Sequence, residues 1–181
     1  MFGFDEIFSS EPTSAVVSLR AAKQSVEDRR RDIFDSHRHR VFALAYYMTG
    51  NELEAEEILT GTFVDAFVQS EEPAAPEVDT ALVGQLRTRF PLGEEGAPAV
   101  ASPDQELGKR NVRRTDLEEA IQFLPATERL LFLMRDVEGY PVEAIAQVVD
   151  MPVSAVQRVL FSARIRLRGI LSHSQATIAA A

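Results

Sequence analysis

The chain contains no cysteine and no tryptophan, and only three histidines among its 181 residues. Without cysteine there is no disulfide framework, no thiol nucleophile and no cysteine zinc site, and three histidines leave few ways to build an all-protein metal centre. His37 and His39 stand two apart, so on a helix they point in different directions, and a structural role is expected for both. No glycine-rich phosphate loop, nucleophile elbow or His-Glu metalloprotease motif occurs. The expectation is therefore a protein that is not an enzyme, with no metal, no cofactor and no small-molecule substrate. Nothing approaches the ~18 consecutive apolar residues of a membrane-spanning helix. The opening residues Met1, Phe2, Gly3, Phe4, Asp5 and Glu6 lack the basic start of a secretory signal. A cytoplasmic protein with no membrane partner is expected.

What the chain has in excess is acid, unevenly placed. Its 28 acids and 19 bases give a formal net charge of −9. Residues 1–109 hold 10 bases and 20 acids, whereas residues 110–181 hold 9 bases and 8 acids. No Lys or Arg occurs over 41–86, where Glu52, Glu54, Glu56, Glu57, Asp65, Glu71, Glu72, Glu77 and Asp79 fall. Residues 155–181 carry Arg158, Arg164, Arg166 and Arg168 and no acid. An acidic front and a basic tail point to a protein partner for one and a polyanion for the other; the plainer alternative is two solubilising surfaces.

The periodicity is helical, with no convincing strand. Val41, Leu44, Ala45 and Met48 repeat at i, i+3, i+4, i+7, with Gly50 and Asn51 as a stop. Ala55, Ile58, Leu59, Thr62, Phe63, Ala66 and Phe67 then form one stripe, which leaves an acidic back carrying Glu54, Glu56 and Glu57. The pattern breaks at Pro73 and Pro76, resumes weakly over 81–90, and dissolves into an acidic Pro/Gly-containing stretch over 91–109, read as a linker. A helix over 116–124 ends at Pro125, and Thr127 is expected to cap the next one, whose stripe is Leu130, Leu133, Met134 and Val137. A short helix with Val142, Ile145, Ala146 and Val149 meets a turn at 150–152. A long helix follows with Val156, Leu160, Ala163, Leu167 and Leu171 buried. Two helices at such a turn, the second basic, outline either a helix-turn-helix or an ordinary helical hairpin.

Two sets of residues carry a resemblance that separates these alternatives. Over 112–171, Leu124-Pro125, the run 135–139 (Arg-Asp-Val-Glu-Gly), Ala144-Ile145-Ala146 and the run 152–156 (Pro-Val-Ser-Ala-Val) resemble the promoter-reading region of the extracytoplasmic-function sigma factors. Over 30–69, Phe34, Arg40, Val41, Phe42, Leu44, Ala45, Thr49 and Gly50, then the run 54–58 and Thr62-Phe63, resemble the first conserved region of the same family. The resemblance implies an all-α fold of two small helical domains joined by the acidic linker, the second a four-helix domain with a helix-turn-helix. The implied division is an N-terminal extension over 1–22, disordered or a small docking segment, a region-2-like domain over 23–90, the linker over 91–109, a region-4-like domain over 110–174 and a tail over 175–181.

By the same resemblance the front domain docks on bacterial RNA polymerase core and opens the −10 element, while the last domain reads the −35 element of promoter DNA. An anti-sigma factor is a further candidate partner. Glu54, Glu56, Glu57, Thr60 and Gly61 are then the polymerase-facing residues, against the simpler reading of a solvated face. Ser154, Ala155, Gln157, Arg158, Phe161 and Ser162 occupy the groove-facing turns of the last helix, and Arg164, Arg166 and Arg168 suit phosphates or, alternatively, a helix end. The chain departs from the family over 70–90. That segment is acidic and proline-broken, with Ala81 where a tryptophan is usual and only Arg87 and Arg89 as bases. This departure motivates a second reading, a sigma-like module that docks on polymerase or an anti-sigma factor without melting DNA.

Overall fold

In a computed structural model, which describes the backbone of residues 13–93 and 114–179 and the side chains of 25–93 and 114–172, every regular element is helical. The front half is α1 (Thr13–Thr49), α2 (Glu52–Gln69) and α3 (Ala75–Arg87). The second half is α4 (Arg114–Gln122), α5 (Ala126–Phe132) with a π-helical continuation at Leu133–Val137, α6 (Val142–Val149) and α7 (Val153–Ala179).

The expected stop between α1 and α2 is present in atomic detail. Gly50 takes the left-handed φ of +68°, and Asn51 caps α2 by accepting from the N–H groups of Leu53 at 2.9 Å and Glu54 at 3.2 Å. Behind that cap Ala55, Ile58, Thr62, Phe63 and Ala66 are buried, and the Thr62 hydroxyl is satisfied within the helix by Ile58 O at 2.7 Å. Phe63 packs edge-on against Phe34 of α1 at 4.8 Å between ring centres.

Several boundaries differ from those expected. Helix α1 begins at Thr13, so part of the supposed extension over 1–22 is helical; residues 1–12 lie outside the described residues. Helix α7 likewise runs through the supposed tail to Ala179. The segment over 70–90 forms α3, because Pro73 and Pro76 sit before and in its first turn, where a proline costs no intrahelical hydrogen bond. Glu77 reaches back to accept from Ala74 N–H at 2.7 Å, one half of a capping box. Thr127 does not cap α5; Pro125 precedes the helix, and the Thr127 hydroxyl instead accepts from Gly93 N–H at 3.1 Å. The linker residues 94–109 lie outside the described residues.

The turn between α6 and α7 is built around Asp150, held at φ +53°, with Met151 N–H returning to Ala146 O at 3.0 Å. The two helices meet at 105°, within the range of a helix-turn-helix. Helix α7 packs on α4, α5 and α6 through the expected stripe of Val156, Leu160, Ala163, Leu167 and Leu171.

The halves do not stand apart. Helix α3 packs on α6, and α1 on α4, α5 and the π-helical turn, so that Val41, Leu44, Val78 and Leu86 of the front share one buried cluster with Leu131, Met134, Ile145 and Val156. The charge split suggests an acidic front covering a basic last helix, but the contact is made differently. Arg164 and Arg166 of α7 are paired inside their own half, and the front meets α6 and the α4–α5 turn.

Replacing Asn51 with alanine removes the only side-chain cap of α2 and is expected to cost about 1 kcal/mol, or about 3 °C in Tm. Thermal unfolding followed by circular dichroism measures it; an unchanged Tm would show that the cap is dispensable.

Candidate nucleic-acid and protein interfaces

Helix α7 presents its first turns to solvent because two rows of small and aliphatic side chains face inward. One is the expected stripe; the other is Ala155, Val159 and Ala163, spaced four apart. Ala155 is only 1% exposed and packs in the core, so it is removed from the set of groove-facing residues. A helix clasped by three neighbours buries a wider arc than a single stripe predicts. Ser154, Gln157, Arg158 and Phe161 remain exposed on one outer face, Phe161 at 67%.

Further along α7 the polar residues are tied inward. Glu128 of α5 is 1% exposed and accepts from the Ser162 hydroxyl at 2.8 Å and from Arg166 Nε at 2.9 Å. A buried carboxylate is tolerated only when charge and hydrogen bonds meet it, and here α7 supplies both. Ser162 and Arg166 therefore fix the helix to its support. Arg164 makes a two-pronged contact with Asp136, at 3.0 and 2.7 Å, and that hydrogen bonding raises its pKa above the ordinary value. Arg168 is exposed.

On the front half, Glu54, Glu56, Glu57 and Thr60 are exposed along α2. Glu57 is met by Arg89 at 3.1 Å, so the acidic face is partly neutralised from the segment after α3. Gly61, half-buried, also packs closely against α3. A Cβ there would lie 2.7 Å from the Gln85 side chain, which spans α2 and α3 to donate to Asp65 at 2.6 Å. Its missing side chain allows this close helix approach. Charge patterning overlooked the apolar members of the same face: Leu53, Val64 and Val68 are 67%, 56% and 81% exposed. With Glu57 and Thr60 they recur three or four residues apart, along one face of the helix, a signal readable from the sequence.

Between the halves lies a polar contact that no linear motif announces. Asp79, counted above among surface acids, is 2% exposed. Arg40 of α1 approaches it at 2.9 Å and 3.3 Å, the shorter contact being an ion pair without good hydrogen-bond alignment. Tyr140, from the loop before α6, donates to Asp79 Oδ2 at 2.8 Å, and its hydroxyl and ring also meet the Arg40 guanidinium. Arg135 holds that loop by donating to Tyr140 O at 2.7 Å. Burial pushes the Asp79 carboxyl up to about 6, with Arg40 opposing the shift and Glu138 adding to it. A cleft of about 340 Å³ opens beside this contact, lined by Glu77 and Thr80 of α3 and Ala144 and Gln147 of α6. Among the described residues no group of three His, Asp or Glu side chains is placed to hold a metal ion.

A family model described as Sigma-70, region 4, matches residues 114–167, the span of α4 through most of α7. Over 93% of this chain and 72% of its own length, the ECF RNA polymerase sigma factor SigE of Mycolicibacterium smegmatis (strain ATCC 700084 / mc(2)155) is 26% identical. Residues 114–167 thus match sigma-70 region 4, and over most of its length the chain is similar to an extracytoplasmic-function sigma factor. The fold agrees: the sigma factor RpoE of Bartonella quintana, solved in complex with the anti-sigma factor NepR, superposes with a TM-score of 0.52 at 17% identity. That superposition covers 84% of this chain and 98% of that one. The region 4 match takes in α6 and most of α7, the pair that forms the helix-turn-helix, and α1 to α3 form the half that precedes it. No single described helix is long and apolar enough to cross a membrane.

The raised Asp79 pKa has a defined consequence for stability. Between pH 4 and 6 the folded protein holds a proton that the unfolded chain has released, so this contribution is present at low pH and lost as pH rises through about 6. His37, whose pKa is lowered by burial and by Arg40, acts in the opposite sense as pH falls below its ordinary value. Comparing wild type with Asp79→Asn cancels the histidine. The stability of wild type relative to the variant is expected to fall from pH 4 to 7 in urea titrations, and a flat or rising difference would contradict the assignment.

Proposed function

We propose that this protein binds RNA polymerase core and directs promoter-specific transcription initiation, supplying recognition and doing no covalent chemistry itself. The observation that carries the reading is the outer face of α7, where Ser154, Gln157, Arg158 and Phe161 stand exposed at the start of the second helix of a helix-turn-helix. On such a face Gln157 suits the adenine edge, Arg158 the paired acceptors of guanine and Phe161 the thymine methyl, each good contact discriminating by about 1–3 kcal/mol. Arg168 suits a phosphate, and Arg164 can turn to one only by leaving Asp136. On the front half, the mixed face of Leu53, Glu54, Glu56, Glu57, Thr60, Val64 and Val68 suits a basic, helical surface on polymerase. The apolar members supply burial there, and the acids orient the encounter. An anti-sigma factor is a second candidate for either surface.

One feature favours the alternative of docking without melting. Helix α3 places Val78, Ala81, Leu82, Val83 and Leu86 inside the fold, and it offers no exposed aromatic ring for a flipped base.

Run-off transcription with purified core polymerase on a genomic promoter pool separates the two. Discrete transcripts that fall roughly 5- to 150-fold in Arg158→Ala, as loss of one bidentate base contact requires, are expected. Retained polymerase binding with no transcripts would overturn the proposal in favour of the docking module.

A further inference from the structure

The two ion pairs along α7 differ in kind. Arg166 is tied to Glu128, whose side chain is 1% exposed. Arg164 meets Asp136 at the rim, with side chains 53% and 28% exposed. Breaking the first pair would leave a charge buried, whereas either member of the second can be rehydrated or take another partner. Of the two arginines, Arg164 is therefore the exchangeable one.

Its place on the helix gives that exchange a meaning. Ser154, Gln157, Phe161, Arg164 and Arg168 follow one another at three- and four-residue steps, so Arg164 continues the exposed face of α7 one turn beyond Phe161. On a helix that enters a groove by its first turns, such a position meets the phosphates that flank the bases. Asp136 comes from the π-helical turn, in which Glu138 N–H returns five residues to Leu133 O at 2.9 Å. That wide turn leaves Val137, expected in the buried stripe, 51% exposed, and sets Asp136 beside α7. The two carboxylate oxygens accept from Arg164 Nε at 3.0 Å and Nη2 at 2.7 Å, the two-pronged form in which a guanidinium also takes a phosphate.

We propose that Asp136 stands in for a DNA phosphate on Arg164, and so removes this arginine from the sequence-independent part of duplex binding by α7. The inference rests on the reading of α7 as a DNA-binding helix. A phosphate taken by Arg164 would leave the Asp136 carboxylate bare, so the counterion released from DNA is offset by one gathered on the protein. Asp136 thereby lowers affinity for every duplex alike, and the discrimination by Gln157 and Arg158 makes up a larger share of what remains. It is a specificity-determining residue that touches no base.

Fluorescence anisotropy with the full chain and a short duplex of mixed sequence, repeated over a range of salt, tests this. Asp136→Asn keeps the shape of the side chain and removes its charge. The salt slope of that variant is expected to be steeper than the wild-type slope by about 0.9, which is roughly a three- to fourfold greater loss of affinity for each fourfold rise in salt. Wild type and Arg164→Ala are expected to share one slope, and Asp136→Asn to add nothing in the Arg164→Ala background. Equal slopes for wild type and Asp136→Asn would overturn the proposal. So would a steepening of the same size without Arg164, since that would mark only the general loss of a negative charge. Failure of all four proteins to bind duplex would overturn the DNA reading of α7 itself, and the proposal with it.

A second measurement reads the pairing in the free wild-type protein, whatever the folding of the variants. Nitrogen-edited nuclear magnetic resonance follows the exchange of the Arg164 Nε proton with water. Exchange well slower than that of free arginine is expected, because Asp136 accepts that proton. Exchange as fast as in free arginine would overturn the proposal.

Discussion

The arrangement turns on one buried carboxylate. Asp79 sits at the seam of the two halves, where leaving a charge unmet would cost several kcal/mol, and it is met by Arg40 from its own half and Tyr140 from the other. Such a pair adds little net stability, because desolvation offsets most of the attraction. Its geometric demand is strict, however: the carboxylate is satisfied only when α1, α3 and the loop before α6 stand in one relation. The apolar seam around it, with Val78 and Leu86 against Ile145 and Met134, supplies the non-directional driving force that this contact then orients.

The same economy of charge shapes α7. Glu128 and Asp136 hold Arg166 and Arg164 against the support helices, so α7 presents less free positive charge than its sequence suggests. Exposure is concentrated on Gln157, Arg158 and Phe161 in the first turns, the side chains to which the proposed base contacts are given. The acidic face of α2 is tempered in a similar way by Arg89, and the exposed Leu53, Val64 and Val68 give it an apolar seam. Both surfaces combine a modest field with exposed apolar area.

Periodicity was enough to reveal the helices, the stop at Gly50 and Asn51, and the stripes of α2 and α7, because each depends on spacing along the chain. The sigma-factor resemblance was legible for the same reason, being carried by short runs at fixed separation. What stayed hidden depends on partners distant in sequence. Asp79 looked like one more surface acid because Arg40 and Tyr140 lie 39 and 61 residues away. The close helix approach at Gly61 stayed hidden because its neighbour is Gln85 of another helix. Ala155 seemed to face outward because a single stripe underestimates the arc buried by three supporting helices.

The claim on which the account stands is that the two halves of the free protein form one packed body. Scanning calorimetry of the full chain tests it most directly. One shared core predicts a single cooperative transition, with calorimetric and van't Hoff enthalpies equal, and the same midpoint reported by probes placed in α2 and in α7. Two separable transitions, one for each half, would contradict it.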